Sequence, residues 1–130
     1  MILLDTCALL WLVHDPAKLS LAASRAILSH GDSLHVSSVS AWEIAIKASS
    51  GKLTLPKGLT PEAWFSQALT SYSIREIRPD AAIFCRAVAL PPIHRDPCDR
   101  LIIATATTHR MSIITADSVM PLYVGTKVLW

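Results

Sequence analysis

The sequence predicts an α/β domain built on a mainly parallel sheet of about five strands. Three observations carry this reading. Short apolar runs alternate with stretches of helical spacing; those stretches open on capping residues and close on glycine or proline; and no repeat, linker or low-complexity segment interrupts them. At 130 residues the chain is long enough for one real core and too short for two, so residues 1–130 are read as a single domain.

The elements follow in order. "MILL" reads as a short buried strand, and "TCALLWLV" continues as an apolar helix until Asp15-Pro16 breaks the pattern. Residues 20–31 carry a serine cap, helical spacing and a terminal glycine. A second strand is expected at 34–38, then a helix over 40–52 opening with Ser40 and Glu43 in capping-box spacing. The connection 51–60, with two glycines and two lysines, is the most mobile piece expected. Thr60 and Pro61 start a helix to 72, followed by a third strand at 73–77 and a helix over 80–91 stopped by Pro91 and Pro92. The stretch "HRDPCDRLIIATA" begins a helix reaching Arg110, with Asp96 as N-cap and Pro97 at the first helical position. Strands at 111–115 and 127–130 complete the chain.

Bulk properties exclude several classes. Apolar residues make up 52% and charged ones 17%, with a mean hydropathy of +0.41. That surplus predicts an apolar surface covered by a partner, with "ALLWL" (8–12) and the helix 60–72 as its sources. No apolar run approaches the roughly 18–20 residues of a membrane span, and the first thirteen residues carry Asp5 and no basic leader, a poor signal peptide. Cys7, Cys85 and Cys98 are an odd set without a CxxC, which argues against a disulfide framework or zinc site and fits a reducing cytoplasm. A net charge of +2 is too mild to attract nucleic acid by bulk electrostatics, so any such activity must come from a local site.

The ten acidic residues are placed unevenly. Asp5 is the only charged residue in 1–13, Glu43 the only one in 33–46, and Asp117 stands alone in 111–126. An acid stranded among apolar residues costs desolvation energy unless something pairs with it. Asp5 ends the first strand and Asp117 follows the fourth. Glu43 and Asp99 are read in the first turns of helices adjoining strands two and four. In a parallel sheet all four positions fall on the carboxyl edge, where α/β proteins place their sites. Converging carboxylates repel unless a cation joins them, and hard oxygen ligands suit Mg²⁺ or Mn²⁺.

Each residue also has a structural reading. Glu43 could only complete a capping box, Asp99 could only complement the helix dipole, and Asp117 could cap a turn before "SVMP". Lys47, four residues after Glu43, is a phosphate contact or a routine Glu–Lys pair. Thr6 and Thr115 each adjoin a proposed ligand and could orient it. Arg95 and Arg100 are phosphate contacts or solvated surface arginines. Trp11, Trp42, Trp64 and Trp130 are read as core or interface, and His94 as a loop histidine with no partners.

Taken together, "LLDTCALLWL", "SAWEIAIKASSGKL", "PPIHRDPCDRLIIATA" and "IITAD" resemble the PIN-domain ribonucleases, specifically the VapC-type toxins of toxin–antitoxin pairs. The resemblance covers essentially the whole chain. It implies a three-layer α/β/α sandwich, a Mg²⁺- or Mn²⁺-dependent endoribonuclease acting on RNA, and a small cognate antitoxin that blocks the site. The family's acidic quartet falls on Asp5, Glu43, Asp99 and Asp117; Asp96 matches a further acid and Thr115 a polar neighbour of the last. Cys7 and Cys98 depart from the residues usual there. A homodimer is expected from the apolar surplus. The competing reading is a non-catalytic PIN-like module binding RNA or protein, and the intact acids argue against it. A phosphotransfer domain is weaker still, because Cys7 stands where a second aspartate would be needed.

Overall fold

A computed structural model describes all 130 residues. Five strands, β1 (Ile2–Leu4), β2 (Leu34–Ser37), β3 (Arg75–Ile77), β4 (Ser112–Ile114) and β5 (Lys127–Leu129), form one sheet in the order β3-β2-β1-β4-β5. Every pairing is parallel, with Leu4 opposite Val36 on one side and Ile114 on the other. Six helices connect them: α1 (Thr6–His14), α2 (Leu21–Ser29), α3 (Val39–Ser49), α4 (Pro61–Ser71), α5 (Ala81–Ala89) and α6 (Pro97–His109).

Alternation along the strands makes three layers. Ile2, Leu4 and Ile114 face a core shared with α1, α2 and α4, which contributes Leu9, Ile27 and Trp64. Leu3 and Ile113 face the opposite core, filled by Ile83 of α5 and by Ile102 and Ile103 of α6. Both faces of the central strands are therefore dry, which is why they read as unbroken apolar runs.

Three expectations change. The strand at 73–77 is shorter because Ser73 takes a left-handed backbone (φ 53°) that closes α4. The connection 51–60 lacks regular structure, yet Leu53, Leu55 and Leu59 pack against the first core and anchor it. The apolar surface is also elsewhere: Ala8, Leu9 and Leu12 of α1 and Trp64, Phe65 and Ala68 of α4 are core residues. Instead Trp42 on α3 (54% exposed) and Phe84 and Val88 on α5 (49% and 83%) face outward. Two adjoining grooves that share Phe84 and Leu101 join these helices into one apolar face.

The strand order places the site. From β1 the chain steps outward to β2 and β3, then jumps back across β1 to reach β4. The segments leaving β1 and β4 thus diverge at their carboxyl ends, and a crevice opens there.

Candidate active site

That crevice, a cleft of about 380 Å³, is lined by Asp5, Glu43, Asp96, Asp99 and Asp117, with Lys47 as the one lysine or arginine among its lining residues. Thr6, Cys7, Trp11 and Ala116 complete the wall. The structure thus brings the four predicted acids and Asp96 together.

Each acid arrives by a local mechanism. Asp5 leaves β1 with its N–H bonded to the Ile114 carbonyl (3.1 Å), and its Oδ1 accepts from the Ala8 N–H at 2.6 Å as the N-cap of α1. The strand-end acid therefore has a structural duty that its sequence position did not reveal. Asp96 caps α6 through Oδ1, accepting from the N–H groups of Cys98 (2.8 Å) and Asp99 (3.2 Å). Asp99 stands in the first turn of α6. Asp117 turns its Oδ1 to the N–H groups of Val119 (2.7 Å) and Met120 (2.9 Å), and Thr115 Oγ1 accepts from its N–H (3.0 Å).

Glu43 does not complete a capping box. α3 begins at Val39, whose N–H is served by Ser37 Oγ (3.3 Å), and Ser40 Oγ instead accepts from the Thr6 hydroxyl at 2.9 Å. Glu43 consequently sits in the second turn rather than the first, and helical side chains lean toward the N-terminus, which carries its carboxylate back to the rim. Its Oε1 is 3.9 Å from Lys47 Nζ; its Oε2 is buried with no hydrogen-bond partner.

Arg100 is neither at the rim nor solvated. Its guanidinium donates to the carbonyls of Ala87 (2.8 Å), Leu90 (2.7 Å), Pro91 (2.9 Å) and His94 (3.1 Å), so it ties the end of α5 to α6 and is spent structurally. Arg95 is exposed. Trp64 is core, Trp42 is exposed, and Trp11 packs on Trp130 with ring centroids 5.4 Å apart.

His94 is the residue that sequence reasoning missed. Its Nε2 lies 3.1 Å from both Asp117 Oδ2 and Asp99 Oδ2. Ligating atoms of His94, Asp99 and Asp117 all fall within 4.8 Å of one another, as do those of Glu43, Asp96 and Cys98. The rule that found the acids also reaches His94, which precedes α6 and so belongs to the same sheet edge.

Electrostatics mark the cleft as strained. Burial pushes the Asp5 carboxyl up to about 6, with Glu43 and Asp117 adding to the rise and the Thr115 hydroxyl and Ala8 N–H opposing it. Burial and the charge of Asp96 raise Asp99 to about 7 despite His94. Burial would raise Asp117 too, but its bonds to Met120, His94 and Val119 hold it below the usual carboxylate range. Burial among the acids lifts the Cys98 thiol to about 12, so it is neutral and a poor ligand.

Comparison with known proteins identifies the family and the fold. Residues 2–123 match the family model for the PIN domain. The chain is 37% identical over 117 residues to ribonuclease VapC22 of Mycobacterium tuberculosis, covering 89% of this chain and 86% of that protein. This chain belongs to the PIN-domain family of VapC ribonucleases. The fold of this PIN domain is shared with a VapBC2 structure from Rickettsia felis bound to a promoter DNA fragment (TM-score 0.72, 13% identity, 98% and 97% of the two chains). It is shared also with a toxin–antitoxin complex from Klebsiella pneumoniae (TM-score 0.65, 21% identity, 97% and 95% covered).

Proposed function

We propose that this chain is a metal-dependent endoribonuclease, the toxin of a toxin–antitoxin pair, with Asp5, Glu43, Asp99 and Asp117 holding Mg²⁺ or Mn²⁺. The observation that carries this reading is the buried, unpartnered Oε2 of Glu43 in a cleft shared with four aspartates. Such an arrangement costs desolvation and repulsion in the metal-free chain, and a hard divalent cation relieves both. A cation held there supplies Lewis acidity for in-line displacement at phosphorus.

The chain's own groups have separable tasks. Asp5 and Asp117 each commit one oxygen to backbone N–H groups, which fixes the carboxylate and leaves the other oxygen for the cleft. Glu43 offers the cation its Oε2, which has no protein partner, while its Oε1 lies 3.9 Å from Lys47 Nζ. Lys47, one-third exposed at the cleft wall, meets the scissile phosphate. Water attack with departure of the 3′-oxygen leaves 5′-phosphate and 3′-hydroxyl ends. Thr6 and Thr115 hold the site's walls, the first through Ser40 and the second through the Asp117 N–H.

Two partners belong to this proposal. A cognate antitoxin covers the acidic rim, where an arginine or lysine would meet the carboxylates. A second copy covers the apolar face of Trp42, Phe84 and Val88, giving a homodimer. No helix is long and apolar enough to cross a membrane, and a cytoplasmic toxin is the reading adopted.

The deciding experiment is cleavage of cellular RNA by the purified chain with Mg²⁺ or Mn²⁺, with and without chelator, followed by mapping of the product ends. Cation-dependent cleavage with 5′-phosphate ends is expected. RNA binding without cleavage in either cation would favour a non-catalytic module, and undiminished cleavage in chelator would remove the metal.

A further inference from the structure

His94, Asp99 and Asp117 look like a mixed nitrogen–oxygen metal triad, with their ligating atoms within 4.8 Å of one another. The hydrogen bonds around the imidazole say otherwise. We propose that His94 is a positioning residue of the cation site, an Nε2–H donor that holds Asp117 Oδ2 beside Asp99 while its ring nitrogens stay off the cation. The proposal rests on the reading that these carboxylates hold a cation.

The tautomer follows from both ends of the ring. The Asp96 backbone N–H points at Nδ1 from 3.1 Å, and a backbone amide can only donate, so Nδ1 carries the lone pair. The opposite nitrogen, Nε2, faces Asp117 Oδ2 at 3.1 Å with Asp99 Oδ2 equally close, and a carboxylate accepts. The ring proton therefore sits on Nε2. To ligate through Nε2, that proton would have to move to Nδ1, where it would confront the Asp96 N–H donor to donor.

Rotation offers no escape. The His94 N–H donates to the Tyr123 hydroxyl at 2.7 Å, and its carbonyl accepts from Arg100 Nη1 at 3.1 Å. Its side chain is only 11% exposed. The backbone is held on both sides and the ring at both nitrogens, the arrangement expected of a group that orients ligands rather than binds the ion. An all-oxygen set also favours Mg²⁺ and Mn²⁺ over ions that prefer imidazole, so His94 acts on ion choice by abstaining.

The test has two parts, both on the full chain. Long-range ¹⁵N–¹H correlation of the imidazoles, recorded before and after Mg²⁺ addition, reads the tautomer directly. Mn²⁺ affinity is then measured by paramagnetic resonance for the wild type, His94→Gln, which keeps an N–H donor near the Nε2 position, and His94→Ala. The expected result is an Nε2–H tautomer that persists with Mg²⁺, Mn²⁺ affinity lowered about 10–100-fold in His94→Ala, and recovery in His94→Gln. An Nδ1–H tautomer, nitrogen hyperfine coupling to bound Mn²⁺, or equal affinity in His94→Ala would overturn the positioning role alone. A wild-type chain that binds neither cation would overturn the proposed function and this role with it. The tautomer is read on the unmodified chain, so the test stands even where a variant fails to fold.

Discussion

A carboxylate has two oxygens, and at Asp5 and Asp117 one caps a backbone turn while the other is left for the cleft. Capping and cation binding are therefore not rival explanations at these positions. Asp99 has no such duty in its own helix, so its charge is a net cost to the metal-free fold. Asp99→Asn should abolish cleavage and raise metal-free stability at pH 8 by on the order of 1 kcal/mol, measured by thermal unfolding in chelator. The pH dependence has a definite sign. Asp5 at about 6 and Asp99 at about 7 retain protons in the folded chain that the unfolded chain, with an ordinary value of 3.8, has already lost. Metal-free stability should thus fall as pH rises from about 4 to about 7, while Asp117, shifted the other way, acts only below about 4. Cation-supported cleavage should rise over pH 5–7.5 as both groups shed their protons; a flat profile from single-turnover assays would contradict these assignments. Asp5, Glu43 and Asp117 were legible because each stands alone in an apolar stretch, and Asp99 because it falls in the opening turn of the helix that leads into the fourth strand. The partners of His94 were not, because Asp117 is brought to it by folding, 23 residues further along the chain.

Helices α5 and α6 meet through Arg100, and their junction is where element-scale energetics concentrate. Its guanidinium satisfies carbonyls at the end of α5 that the helix itself leaves open. Lysine keeps the charge but lacks the fork, so Arg100→Lys should cost about 2–3 kcal/mol in denaturant unfolding. Asp96→Ala removes the N-cap of α6 and should cost about 1 kcal/mol. Three helices were readable from their caps: Ser20, Thr60 and Asp96 all accept from the first turns they precede. Where several serines stand together, at 37, 38 and 40, the start of α3 could not be read, because Thr6 on another element claims Ser40. Arg100 was equally opaque. Its partners lie six to thirteen residues earlier and at Tyr123, and only the packing of α5 on α6 brings them within reach.

For the whole molecule, alternating strands and helices implied a parallel sheet, but nothing local says that β1 lies at its centre. That placement follows from which edges β2 and β4 choose, a property of the finished sheet. The location of the apolar face was hidden for a similar reason: α1, α3 and α5 all carry large apolar residues, and only packing decides that Leu9 and Leu12 of α1 turn inward while Trp42 and Phe84 turn outward. Phe84→Asp with Val88→Asp should convert a dimer to a folded monomer by light scattering, with the carboxylate cleft intact, since neither residue lines it. The ties around His94 reach further than the cleft. Tyr123, from beyond β4, and Arg100, from α6, both hold the strap 91–96, and Asp117 takes the His94 ring. Segments far apart in the chain are thereby knotted at one point. In amide exchange they should open as a single cooperative unit, and cation binding should slow exchange at Asp96 and Met120 together, a protection pattern that spreads along the knot rather than along the sequence.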